Sequence, residues 1–460
     1  MTDLIPFYPI TLRKAKYFFR AILLFASINI GFAQNFTQSP YSKLGIGEPF
    51  FQGFAQQMGL GYQSQAYRDQ LSFAISNPAS YSALQKTSYQ FGAFANTGKI
   101  ADNTISQNVY NASLAYLSMA FQINKKKDWG VAFGILPYSS TGYTIKNDID
   151  SSFGRFSEYY EGKGGVTRAF VGTGKKVGRA LSLGLNTSYL FGKKEIGEAL
   201  VYDNTTPYVS YRNSVTNYLG SFHFQGGAQL VVDSFTMKNW GARLFKRLKM
   251  QHIIGFTYEA QGNLNSSSDY FTRSVFNGQN SGFTKDTILL TTDVQGDVTL
   301  PSSLAFGYML QPNDNRWRLG FEYRMINAAS FSSSLSQDKL INYQRWSLGG
   351  SFIPAKDMSA KGNFLSRTEY RTGIHGGNTG ILIKDTEINE IGINLGFGFP
   401  LRVRTVNEEF RYEFVYSRLN LNFEYIQKGT LNNNLIKENY LRLTVGVSLN
   451  DKWFNRRKIE

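Results

Sequence analysis

The chain alternates. In LRLTVGVSLN, Leu441, Leu443, Val445, Val447 and Leu449 share one face of an extended strand, and Arg442, Thr444, Gly446, Ser448 and Asn450 share the other. LNLNFEYI sets Leu419, Leu421, Phe423 and Tyr425 against Asn420, Asn422 and Glu424. RWRLGFEYRM sets Trp317, Leu319, Phe321, Tyr323 and Met325 against Arg318, Gly320, Glu322 and Arg324. IGINLGFGF does the same with Ile391, Ile393, Leu395 and Phe397 against Gly392, Asn394 and Gly396. A period of two marks strands with unlike faces. Soluble antiparallel sheets also alternate, apolar side inward. Two details favour the inverse arrangement of a membrane barrel. Aromatic residues gather at strand ends, as bilayer interfaces require. The polar faces are rich in Gly, Ser, Thr and Asn with interspersed Arg and Glu, which suits a crowded lumen. The expected fold is all-β, a transmembrane antiparallel β-barrel.

Such segments recur near 87–97, 110–123, 129–143, 165–175, 180–191, 216–230, 250–262, 302–311, 315–327, 343–353, 367–376, 388–399, 417–426 and 439–449. That gives fourteen strands, an even number, as single-chain bacterial barrels have. Tight connections (124–128, near Gly178, 312–314) alternate with long ones (98–109, 144–164, 192–215, 263–301). Short turns belong on the periplasmic side and long loops outside. The basic connection 231–249 breaks the rule, and the strand-like stretch 284–294 is assigned to an outer loop. In the second strand the apolar phase slips between Tyr116 and Leu117, which predicts a bulge.

The third strand contains an obstacle. DWGVAFGILPYSS runs from Asp128 to Ser140 and alternates cleanly until Pro137. Proline has no N–H for a ladder and is excluded from fully paired strands. Counted from Trp129, Pro137 lies about 25 Å along the strand, roughly 18 Å in height at a 45° tilt. That is the outer half of a bilayer band. Two readings stand: a break that lines a cavity, or a strand end entering its outer loop.

The N-terminus bears on location. Arg13, Lys14, Lys16 and Arg20 precede AILLFASINIGFA, which ends in Gly31-Phe32-Ala33. A basic segment, a short apolar core and a small-x-small end predict a secretory signal at 1–33, with Gln34 as the mature start. Removing it takes away four basic residues and Asp3, so a net charge of +16 becomes +13. An exported basic chain points to anionic lipid headgroups, outer-membrane lipids and lipopolysaccharide, and not to nucleic acid. Cysteine is absent, which excludes disulfides and thiolate metal sites.

Residues 34–85 form a stretch without strand alternation that carries Phe50, Phe51, Phe54, Phe73 and other aromatics. A structureless segment of that length needs a role. It is expected to form a hatch inside the lumen, before a barrel at 86–454 and a tail at 455–460. No catalytic constellation stands out, so no enzyme, cofactor or metal is expected. His223 and His375 fall on predicted lumen faces of distant strands, without a nucleophile motif. The lumen charges Arg318, Glu322, Arg324 and Arg442 are expected to pair across the wall.

QSPYSKLGIGEPF at 38–50, FAISNPASYSALQ at 73–85, WGVAFGILPYSSTGY at 129–143, LPSSLAFGYML at 300–310 and GVSLNDKWF at 446–454 together resemble FadL-type outer-membrane transporters, in the divergent form of the Bacteroidota. The resemblance implies a fourteen-stranded barrel in the outer membrane of a Gram-negative bacterium. It implies an internal hatch, and passive uptake of hydrophobic, long-chain fatty acid-like compounds through a lateral opening at the third strand. The residues expected at the ligand path and gate are Pro137, Gly134, Gly142, Asn77, Pro78, Phe50, Phe51, Phe54 and Phe73. The alternative is a closed barrel acting as a structural, secretion or assembly subunit with other outer-membrane proteins.

Overall fold

The computed structural model describes residues 37–152, 154–203, 207–233, 250–276, 284–334, 338–355, 363–406 and 412–451. The segments 1–33 and 455–460, and most of 231–249, lie outside the described residues.

Fourteen strands close a barrel. They are β1 (Thr87–Ala101), β2 (Ser106–Asn124), β3 (Trp129–Ser151), β4 (Gly154–Val177), β5 (Leu181–Tyr202) and β6 (Ser210–Asp233). Next, β7 comes in two pieces, Met250–Glu259 and Gly262–Val275, and β8 likewise, Asp286–Leu300 and Ser303–Pro312. The circuit ends with β9 (Trp317–Ile326), β10 (Tyr343–Phe352), β11 (Glu369–Ile383), β12 (Thr386–Val406), β13 (Tyr412–Gly429) and β14 (Lys437–Asp451). β14 returns to β1, from Asp451 opposite Thr87 to Lys437 opposite Ala101, so no edge remains at the closure.

The alternation sorts the two faces as expected. Phe423, Leu443 and Val445 are exposed on the outside, while Asn422 and Thr444 between them are fully buried. Leu319, Ile393 and Leu395 face outward, and Arg318, Glu322 and Asn394 face inward. An apolar outer band with a polar interior is the solution for a barrel in hydrocarbon. Cysteines at 423 and 445 should therefore react with a lipid-soluble maleimide. Those at 422 and 444, sealed under the hatch, should react with neither lipid-soluble nor aqueous reagents. Equal labelling of all four sites would contradict this facing.

Two expectations need correction. The stretches 98–109, 144–164, 192–215 and 263–301 are largely strand: β1 pairs with β2 out to Ala101–Ser106, β3 with β4 out to Ser151–Gly154, β5 with β6 out to Leu200–Tyr211, and upper β7 with upper β8 out to Ser274–Asp286. The stretch 284–294 likewise belongs mostly to a strand, the upper part of β8, paired with upper β7. Above the apolar band both faces of a strand meet water. The period of two fades there, although the ladder still satisfies the backbone. The bulge in β2 is present one residue from its expected place. Gly92 pairs with Tyr116 and Ala93 with Leu114, leaving Ala115 as the extra residue.

The hatch fills the lumen below the tall rim. Its backbone runs against glycines of the wall. A Cβ on Gly373 of β11 would overlap the Leu60–Gly61 backbone, and one on Gly349 of β10 the Leu60 carbonyl. Gly255 of β7 faces Gln65 in the same way, while Gly174 and Gly184 of β4 and β5 face Pro78. Glycine-rich inner faces are thus the seat into which the hatch chain presses. Phe54, Phe73, Ile75, Tyr81 and Leu84 then pack against Tyr116 and Phe170 as a dry core. Burial of each large side chain contributes about 1.5–3 kcal/mol.

Candidate functional site: an opening between the second and third strands

The ladder between β2 and β3 is short. It runs from Asn124–Trp129 to Leu117–Ile135 and stops. On its other side β3 stays paired with β4 to its end. From Leu136 upward, the β2-facing edge of β3 has lost its barrel neighbour, and so has the edge of β2 from Tyr116 to Ser106.

Local features cause the divergence. Ala115 is bulged in β2, and the bulge turns the next residue, Tyr116, inward, where its hydroxyl accepts from the Ala55 amide at 3.0 Å. In β3 the register against β4 slips between Pro137 and Ser139, so Tyr138 is the extra residue. The Pro137 carbonyl accepts from Gln52 of the hatch at 2.9 Å. In an extended strand a residue's N and C=O point to one edge. The position lacking an N–H therefore lies on the open edge, where no barrel strand asks for it.

Open strand edges in hydrocarbon would leave backbone groups unsatisfied, at several kcal/mol each. The hatch satisfies them. Glu48 and Pro49 form a two-residue strand opposite Ser140 and Ser139. Phe50 N–H donates to the Tyr138 carbonyl at 2.9 Å. The Ser42 hydroxyl accepts from the Gly142 amide at 3.0 Å. Across the gap, the Gln38 amide donates to the Tyr110 carbonyl of β2 at 3.0 Å. Gly47, at φ +101°, lets the hatch chain approach the Ser140 carbonyl more closely than a side chain allows.

A cavity of about 280 Å³ lies behind this plug. Gln38, Phe50 and Phe51 of the hatch line it, with Asn111 of β2 and Tyr138 and Ser139 of β3, so it reaches both edges of the opening. Leu44, Ile46, Leu300, Ile326, Phe331 and Leu340 give it an apolar side. Arg324, Arg345, Lys428 and Arg442 give it a basic side, interleaved with Glu48, Glu259, Glu322 and Glu390. Arg345 is paired with Glu390 at 2.6 Å, and Lys428 with Glu48 at 2.8 Å. Arg324 is held more loosely, 3.7 Å from Glu322, whose carboxylate already accepts from the Ser64 and Gln65 amides.

The residues singled out in the sequence separate here. Pro137, Gly142, Phe50 and Phe51 meet at the opening or its cavity. Gly134 sits just below, in the last paired stretch, opposite Ser118. Asn77 and Pro78 are elsewhere. The Asn77 side chain caps its turn by accepting from the Ala79 amide and donates to Gln65 and Ala228 carbonyls, which makes it an anchor of the hatch to β6. Phe54 and Phe73 are fully buried in the packed core, 4.9 Å ring to ring, and neither lines the cavity.

The lumen charges correct another expectation: several of their partners are on the hatch. Arg318 binds Asp69 at 2.6 Å, and Arg442 contacts Tyr62 and Asn96 besides Glu424. The histidines serve the wall, His223 against the Ala260 carbonyl and His375 against Asn394. What the sequence reading missed is Gln38, Ser42, Glu48 and Gln52, polar residues in a segment without periodicity. Gln38, Ser42 and Glu48 lie within the QSPYSKLGIGEPF stretch that carries the family resemblance, but nothing in it marks them out individually.

Glu48 is a latch across the lumen. Burial pushes its pKa up, but Lys428 at 2.8 Å and the Thr37 hydroxyl outweigh this and hold it below 4.5. A carboxylate whose pKa is lower in the latched state stabilises that state above pH 4.5. The contribution is lost as pH falls through the latched value. The Glu48 contribution to protection of the hatch from protease should therefore be lost in acid, below the ordinary carboxylate range. Glu48→Gln should diminish the acid step without abolishing it, because the Asp69 carboxylate of the hatch, paired with Arg318, is lost in the same direction, and an unchanged step in that variant would exclude Glu48 as a contributor.

The family model for BamG matches residues 15–460. No curated protein matches the sequence. Among solved structures, a Pseudomonas aeruginosa FadL homologue superposes with a TM-score of 0.55 at 12% identity, covering 88% of this chain and 99% of that one. The P. putida toluene transporter TodX gives 0.52 at 14% identity, over 88% and 100% of the chains. The monoaromatic hydrocarbon channel CymD gives 0.50 at 12%, over 88% and 98%. These likenesses establish a FadL-type barrel fold.

Proposed function

Because the chain belongs to the BamG family and folds as a FadL-type barrel with an interrupted wall, we propose that it passes hydrophobic compounds through the outer membrane of a Gram-negative bacterium. The compound enters from the cell surface, occupies the lumen cavity and leaves sideways between β2 and β3. The observation that carries this reading is the early end of the β2–β3 ladder at Leu117–Ile135, with a cavity directly behind it. A barrel needing only mechanical closure would pair these strands throughout. The mixed lining suits an amphipathic compound, its apolar part against Ile46 and Phe331 and an anionic group near Arg324. Outer-membrane lipids receive it at the opening.

Hatch residues 46–52 occupy the exit, so transport requires them to loosen from β3. Pro137→Val tests this. The new N–H points to the open edge, where the Gln52 side chain already donates to the residue 137 carbonyl. The Gln52 Oε1 is buried without a partner among the described residues and can accept it. The variant should hold the hatch more firmly by about 1 kcal/mol and slow uptake of a fluorescent fatty acid severalfold. Gln52→Ala in the same chain should restore the rate. Unchanged uptake in a correctly inserted Pro137→Val protein would favour the assembly-subunit reading.

A further inference from the structure

The upper part of β8, Asp286–Leu300, has one strand neighbour along most of its length. It pairs with upper β7 throughout. Among the described residues, its other edge meets only Ser332–Ser333, opposite Thr299 and Val298, and Ser334 at Asp297. The cause is the shape of the rim. The next wall strand, β9, ends at Ile326, beside Ser303 at the top of lower β8, so upper β8 rises past it. Residues 286–295 are exposed on both faces, with Ile288 and Leu290 each 62% and Leu289 51% accessible.

Lipid does not cover this strand. Leu290 lies roughly twenty residues up the chain from Pro312, about 50 Å in height at a 45° tilt and so above an apolar band of ~25 Å, and the strand's upper partners on β7 pair in turn with Tyr211 to Thr216 of β6, a mostly polar stretch. A long apolar edge in water is a template for another strand. Lysine and proline, which blunt such edges, are absent from 286–295, and the edge is interrupted only by register slips at Thr287/Leu289 and Thr291/Val294. Leu289 and Leu290 pair with consecutive residues, Thr272 and Phe271, so they point to opposite faces, and an occupant must cover both.

Charge and symmetry narrow the occupant. The strand carries Asp286, Asp293 and Asp297 and no basic residue, in a chain of net charge +16. Acidic residues repel lipid phosphates and would repel the same edge of a second copy. Two copies in one membrane are related by an axis along its normal. Their β8 edges would both descend toward the bilayer and could not run antiparallel.

We propose that the free edge of upper β8 docks an extended, basic strand of a different surface protein, added antiparallel along residues 286–295. The added sheet would stand over the short β9–β10 rim and partly roof the lumen mouth. Main-chain bonds would supply the attachment, and pockets around Leu289 and Leu290 the selectivity.

The test places a photo-crosslinking phenylalanine at 289, at 290 and, as control, at 105, which is 71% exposed on another outer turn. In native outer membranes, 289 and 290 should give one discrete protein adduct whose crosslinked peptide is basic, and 105 should not. Asp286→Lys with Asp297→Lys should cut its yield about fivefold or more, with the barrel still heat-modifiable. If that variant does not assemble, Asp286→Asn with Asp297→Asn should still weaken the adduct. An adduct to lipopolysaccharide or to a second copy, an acidic peptide, no adduct, or a protein adduct indifferent to these substitutions would overturn the proposal.

Discussion

Gly373→Val should dislodge the hatch and leave the barrel standing. A side chain at 373 would overlap backbone atoms of Leu60 and Gly61, which cannot swing aside as a flexible side chain can. Gly61 is itself fixed in a turn at φ +72°. Overpacking of this kind typically costs 1–3 kcal/mol, and more where backbone meets backbone. The wall gains a residue that suits a strand, so the strain falls on the hatch. Once one stretch lifts, neighbouring contacts at Gly349 and Gly255 are lost with it. Planar-bilayer recordings should show large conductance for Gly373→Val and near silence for the native protein. Gly226→Val is the control, because a Cβ there meets nothing within 4 Å. A silent Gly373→Val barrel that still assembles would mean that the hatch is not seated on the glycines.

Much of the wall was readable because hydrocarbon imposes one face per strand. Leu443 and Thr444 had to point opposite ways, and so did every pair like them. The proline at 137 was readable as a break for the same reason, since alternation made its neighbours a strand. Other parts obeyed weaker constraints. Around Lys146, Asn147 and Asp148 the strand stands in water, both faces are polar, and the stretch passes for a loop. Upper β8 escaped because Ile288, Leu289 and Leu290 break the period of two, through a register slip between Thr287 and Leu289. The hatch has no period at all. Its contacts are chosen one at a time: Asp69 by Arg318, Glu48 by Lys428, Gln52 by the Pro137 carbonyl. Aromatic residues drew attention there as a possible path, yet Phe54 and Phe73 only pack. The groups that close the opening are short polar side chains, which nothing in their local sequence distinguishes from solvated ones.

Transport by this route requires the hatch strand to leave β3, and the absence of native cysteine makes that movement open to control. Pro49 and Ser139 face each other directly across the two-residue ladder, at the spacing that a disulfide bridges. Neither carries the Glu48–Lys428 latch, so Pro49→Cys with Ser139→Cys leaves that ion pair in place. The decisive measurement is uptake of a fluorescent fatty acid by vesicles containing this double variant, oxidised and then reduced in the same preparation. The bond should abolish uptake when formed, and reductant should return it to the native rate, while each single cysteine variant transports in both conditions. Full uptake by the oxidised, fully bridged protein would contradict a sideways route between β2 and β3.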